Sequence, residues 1–293
     1  MNTSPPQKRA YLWLDVFTNT PLAGNPLAVV LDSQGLDTAT MQAIAREFNL
    51  SETTFVLTPE NPENTCKVRI FTPSKELPFA GHPTLGTAWA VNYSKQLKAS
   101  ILHLEEGVGT VPVTLLPNGS LELEVISPPT YAPLPISSTL LAEGLGIEAE
   151  SIGWNGYLPQ IVSCGVAYSL IPINHLEAIQ KARYGWMPDH PLLEAYPALG
   201  EIYLVCPETE DPQANFHVRL FAPGAGVAED PATGSAAAAL GAWLLKHSSE
   251  IGPWLLEQGS EIGRTSQLWV RLDGQRIFVR GQVVLVSQGD LRV

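Results

Sequence analysis

FAGHPTLGTAWA at residues 79–90 and EDPATGSAAAALGAWLL at residues 229–245 decide the fold. Each places a short polar hinge, Gly81-His82 or Gly234-Ser235, directly before a run of small and apolar residues. Pro83 suits a first helical position, where its missing N–H costs nothing, and Ser235 suits an N-cap or first turn. Residues 84–89 and 236–245 are apolar nearly all round. Such helices are expected to be wrapped on most sides, each by its own sheet.

The repeat extends outward from the hinges. VRIFTP at 68–73 and VRLFAP at 218–223 differ by 150 positions and the hinges by 153, so the second copy carries a longer loop. The pattern predicts two similar halves; a chance likeness of one motif pair is the alternative. β-branched and aromatic runs predict strands at 11–17, 27–31, 53–57, 67–71, 101–104, 110–115 and 121–126, with a helix over 38–49. SPPTYAPLP at 127–135 carries four prolines and reads as a linker. Beyond it, strands are expected at 161–163, 167–171, 201–206, 216–221, 268–272, 277–279 and 283–286, with one helix among them. The expected domains are 1–128, with the last strand at 280–293, and 129–279.

Composition narrows the function. A formal net charge of −12 over 293 residues leaves no basic face for nucleic acid or an anionic membrane. The longest apolar run, 236–245, is about half of the roughly 20 residues a membrane span needs. The apolar run after Lys8 and Arg9 breaks at Asp15, too early for a signal peptide, so a soluble cytoplasmic protein is expected. Cys66, Cys164 and Cys206 are scattered and read as reduced core thiols. His103, His175, His190, His217 and His247 form no ligand set and read as surface or satisfied core residues. No nucleotide-binding glycine motif is present.

A buried helix has a buried start. Its first-turn amides need partners and carry partial positive charge, so Gly81 and Gly234 could each open an anion site; a tight turn satisfied by water or loop carbonyls is the plainer alternative. Titratable residues gather at the same hinges: His82 in the first copy, Asp230 and Ser235 in the second. Glu52, in NLSETTFV at 49–56, stands at a helix-to-strand junction. Poorly solvated there, it could exchange a proton near neutral pH, although such a junction also fits a solvated cap. Asn25 in AGNP either lines the cleft or forms the turn.

DVFTNTPLAGNPLAVV at 15–30, LSETTF at 50–55, RIFTPSKELPFAGHPTLGTA at 69–88 and EDPATGSAAAALG at 229–241 resemble the phenazine-biosynthesis PhzF family, within the wider group of diaminopimelate epimerase and proline racemase. The resemblance runs over nearly the whole chain, with its motifs in family order. It implies an α+β fold of two pseudo-symmetric halves, each a curved mixed sheet wrapped around a central helix. It also implies an active site between the halves, no metal or organic cofactor, and a homodimer.

Carried over by motif, the family's acid/base glutamate falls on Glu52, its assisting histidine on His82, and its aspartate and serine on Asp230 and Ser235. Gly81, Gly234, Thr233 and Asn25 are the expected substrate-binding residues. The two cysteines of the racemase relatives correspond to Ala80 and Thr233, which argues against two-thiol chemistry. The expectation is an isomerase that moves a proton on a small carboxylated metabolite, as in dihydro-hydroxyanthranilate isomerisation. A catalytically silent ligand-binding protein and a structural protein are the other readings.

Overall fold

A computed structural model describes residues 7–187 and 189–293. The chain folds as two compact units, Met1–Leu123 with Arg280–Val293, and Glu124–Val279. Among the described residues no helix is long and apolar enough to cross a membrane.

The first unit contains β1 (Lys8–Val16), β2 (Asn25–Val30), α1 (Thr38–Phe48), β3 (Glu52–Leu57), β4 (Cys66–Phe71), β5 (Glu76–Leu77), α2 (Gly81–Lys95), β6 (Ile101–Glu106), β7 (Gly109–Leu115) and β8 (Leu121–Glu124). α2 touches β1, β2, β3, β6 and β7 and is buried almost continuously from His82 to Val91. Its encasement depends on Gly86, where a Cβ would stand 2.4 Å from a Leu27 methyl and 2.9 Å from Val16. α1 packs through Met41, Ile44 and Ala45 against Val30, Phe55 and Phe71. Asp37 caps it by accepting from the Thr40 amide at 2.7 Å.

The second unit contains β9 (Thr130–Pro133), α3 (Ser138–Leu145), β10 (Gln160–Ser163), β11 (Ala167–Pro172), α4 (Leu176–Lys181), α5 (Pro191–Ala195), β12 (Ile202–Cys206), β13 (Phe216–Ala222), β14 (Val227–Asp230), α6 (Gly234–His247), β15 (Trp254–Gln258), β16 (Ser266–Asp273) and β17 (Arg276–Gly281) up to Val279. α6 packs on β10, β11 and β16. Gly241 serves it as Gly86 serves α2, since a Cβ there would meet Ile277 at 2.7 Å and Val270 at 2.8 Å. A core of Leu141, Leu145, Ile171, Ile179, Trp186 and Leu204 joins α3 and α4 to the sheet.

The repeat is visible in strand pairing. β2–β3 and β4–β6 are parallel, β3–β4 and β6–β7 antiparallel; β11–β12 and β13–β15 are parallel, β12–β13 and β15–β16 antiparallel. Matching carboxylates brace matching loops. Glu105 accepts the amides of Glu60 and Asn61, both at 2.7 Å, and Glu257 accepts those of Glu210 and Asp211 at 2.6 and 2.8 Å. The last strand, β18 (Val283–Arg292), pairs antiparallel with β1 along its length.

Three expectations need correction. The proline-rich stretch is not only a linker: residues 130–133 form β9 and pair with β10, as an edge position tolerates the missing N–H of proline. Pro83 is the third residue of α2 rather than the first, still within the first turn, where amides lack helical partners. β5, β14, β15 and the outer helices α3, α4 and α5 lie outside the expected elements.

Candidate active site

In the first unit, α1 ends on Asn49 in the left-handed conformation, φ 51°. The reversal brings the chain within three residues to Glu52, which opens β3. In the parallel register Glu52 lies beside Leu27, so the Asn25-Pro26 start of β2 is its neighbour. His82, the second residue of α2, points its Nε2 at Glu52 Oε2 from 3.4 Å, with only 8% and 16% of the two side chains exposed.

The state of His82 follows from burial. Loss of solvation lowers its pKa to about 3, against a smaller opposing effect of the Pro26 carbonyl, which accepts a hydrogen bond from the ring. The imidazole is therefore neutral at neutral pH, with a single N–H. That N–H is given to Pro26, so the nitrogen facing Glu52 presents a lone pair. Those two atoms are not hydrogen-bonded to each other as they stand; protonation of Glu52 would supply the proton for such a bond. Asn25 is fully buried on β2, two positions before Leu27.

In the second unit, Asp230 ends β14, Thr233 is the N-cap position of α6, and Gly234 and Ser235 are its first two residues. The Thr233 hydroxyl bonds Asp230 Oδ2 instead of capping the helix, and Ala80 has no side chain able to cap α2. Neither helix has a side-chain N-cap, and the first amides of an uncapped helix are the groups that an anion can engage.

Two residues complete this second cluster. Tyr168, on β11, sets its hydroxyl 2.6 Å from Ser235 Oγ. Gln258, on β15 and fully buried, donates to the Asp230 carbonyl at 2.8 Å and to Thr233 Oγ1 at 3.1 Å, and accepts from the Thr233 amide at 3.3 Å. The sequence reading missed both. Tyr168 is an ordinary strand aromatic in sequence, and Gln258 was placed in no element; a polar residue closing the apolar run WLLEQ was its one signal.

Within each unit the residues singled out by the hinges thus come together: Asn25, Glu52, Gly81 and His82 in the first, and Asp230, Thr233, Gly234 and Ser235 in the second.

Comparison with known proteins follows the same lines. A family model described as phenazine biosynthesis-like protein matches residues 14–289. An uncharacterized isomerase of Mesorhizobium japonicum is 44% identical over 240 residues, spanning 80% of this chain and 79% of that protein. The trans-2,3-dihydro-3-hydroxyanthranilate isomerase of Pseudomonas fluorescens is 36% identical over 291 residues, spanning 94% of this chain and 99% of that one. Among solved structures, a PhzF-family phenazine biosynthesis protein of Bacillus anthracis matches with a TM-score of 0.85 at 27% identity, over 98% of this chain and all of that one.

Proposed function

The chain belongs to the phenazine biosynthesis-like PhzF family and is an isomerase, and we propose that it moves one proton between carbon atoms of a small carboxylated metabolite, with Glu52 as both base and acid. The observation that carries this reading is the Glu52–His82 contact at 3.4 Å. A carboxylate facing the lone pair of a neutral imidazole can take a proton from one carbon and, as the acid so formed, return it to another, while the ring stabilises the protonated state of the side chain.

In this reading Asp230 helps to set the protonation state. The Gly81 amide in the first unit, and Ser235, Thr233 and the Gly234 amide in the second, are each suited to bind negative charge on a substrate. Asn25 shapes the binding surface beside Glu52. Every step is assigned to side chains and amides of this chain, so no cofactor enters the scheme. The substrate class extends to the cyclic amino acid named for the P. fluorescens relative. The net charge of −12 supports a small-molecule partner rather than nucleic acid. The family resemblance supports a cytoplasmic homodimer, and sedimentation reads the oligomeric state.

The test is turnover in heavy water. Trans-2,3-dihydro-3-hydroxyanthranilate and a panel of small carboxylated metabolites are incubated with the protein and scored by mass. One solvent deuterium should enter the product, and none with Glu52→Gln. Binding without exchange for every compound, or undiminished exchange in the variant, overturns the reading.

A further inference from the structure

Glu106, the last residue of β6, sets its carboxyl against the first turn of α2. Thr84 Oγ1 lies 2.7 Å from the Ala80 carbonyl and 2.8 Å from Glu106 Oε1. A hydroxyl has one proton to give, and a backbone carbonyl can only accept. Once Thr84 donates to Ala80, its contact with Glu106 needs a proton from the carboxyl.

The surroundings point the same way. Glu106 Oε2 is buried without a hydrogen-bond partner, a costly place for a charged oxygen. A cavity of about 550 Å³ beside it is lined by Lys67 and Arg69 of β4 and Glu76 of β5, but these charges are committed elsewhere. Arg69 forms a two-pronged bond to Glu76, both contacts at 2.6 Å, and Lys67 pairs with Glu60. The neighbouring strand residue Glu105 is held by loop amides and Asn64. β7, paired alongside, carries no titratable side chain. On α2, His82 is neutral and Lys95 lies at the opposite end. Burial pushes the Glu106 carboxyl up to about 8, with the Thr84 bond opposing.

The repeat supplies an independent comparison. Lys67 pairs with Glu105 in the parallel β4–β6 register as His217 pairs with Glu257 in β13–β15. One residue further on, Glu106 therefore stands where the second unit has Gln258. That neutral amide carries its own donor and uses it at the start of α6, on the Asp230 carbonyl and Thr233.

We propose that Glu106 works as a carboxylic acid and not as a carboxylate, and that its O–H, through Thr84, secures the Ala80 carbonyl and so positions the start of α2 that carries Gly81 and His82. It is a positioning residue, the counterpart of Gln258. Its protonation stands apart from the isomerase reading; its effect on turnover rests on that reading.

The test is a carbon-13 NMR titration of the protein labelled at glutamate carboxyls. One glutamate should remain in its acid form at neutral pH and titrate near 8; the resonance should vanish in Glu106→Gln and shift in Thr84→Val. Urea unfolding gives a second readout. A folded value raised above 4.5 to about 8 confers stability that is complete at about pH 4.5 and below and is lost as pH rises through about 8. Wild type should therefore weaken relative to Glu106→Gln across that window. On the isomerase reading, kcat/KM should also fall above about pH 8, and Glu106→Gln should remove that limb. Full ionisation of every glutamate at neutral pH overturns the proposal, and so does a pH-independent stability difference. Should Glu106→Gln not fold, the wild-type titration and Thr84→Val decide. Failure of deuterium exchange with every compound would defeat the isomerase reading and leave the carboxyl titration untouched.

Discussion

Glu52 Oε2 and His82 Nε2 lie 3.4 Å apart within one unit, and the imidazole is neutral. If Glu52 is the proton carrier, Glu52→Gln should lower kcat by about 10²–10⁴-fold. Ligand affinity, read by calorimetry, should change far less, because the amide keeps the size of the carboxyl.

The same histidine sets an acid limit on stability. Its folded pKa is depressed from 6.5 to about 3, so below about 6.5 the unfolded chain takes up a proton that the folded chain refuses. The stabilisation tied to neutral His82 is present above 6.5 and is lost progressively as pH falls toward 3. Denaturant unfolding of His82→Asn should show a shallower decline over that range than wild type.

Tyr168 should matter through Ser235. Tyr168→Phe removes a hydroxyl held at 2.6 Å and leaves the ring in place. One neutral hydrogen bond contributes about 0.5–1.5 kcal/mol, so kcat/KM should fall by roughly 2- to 10-fold. Steady-state kinetics at saturating and limiting substrate would locate the loss in KM or kcat.

His217 should anchor the second unit. Fully buried, it bonds Glu257 at 2.7 Å and Glu261 at 2.8 Å. Desolvation opposes its charge, but the two carboxylates prevail and raise its pKa from 6.5 to about 9; the pKa values of both glutamates are lowered from 4.5 against their own desolvation. The histidine contribution is full below 6.5 and is lost as pH rises through about 9, while the carboxylate contribution is full above 4.5 and is lost in acid. The trio should therefore stabilise most between about 4.5 and 6.5. His217→Ala removes the cation between two carboxylates, leaving Glu261 only Arg219 at 3.8 Å, and should cost about 3–5 kcal/mol by urea unfolding.

Gly86→Ala and Gly241→Ala test the encasement of the two central helices. Each new methyl group would meet side chains at under 3 Å, and overpacking of this kind costs about 1–3 kcal/mol. A lowered thermal midpoint in both variants is the expected result.

The legible parts of this chain were those that it states twice. VRIF and VRLF, with a small-residue hinge at nearly equal distance after each, marked two similar halves, and the apolar helices named their own burial. β9 escaped because prolines mask an edge strand. β15 escaped because it ends in Glu257 and Gln258, buried polar residues whose partners lie in a loop some 47 positions away and at the α6 start. Tyr168 finds Ser235 across 67 positions, and no local pattern encodes such a meeting. No local pattern marks Glu106, since only the folded arrangement brings Thr84 against it.

β18 follows the whole second unit in the chain, yet it pairs with β1, which precedes that unit. During synthesis the sheet of the first unit must therefore wait, with one margin unzipped, until the second unit has been made. The C-terminal unit lies wholly between these two strands in the chain and can complete itself in the meantime. The waiting margin is an invitation to promiscuous pairing between nascent chains, and a stop codon at position 283, which removes β18, would damage the half that carries Glu52 and His82.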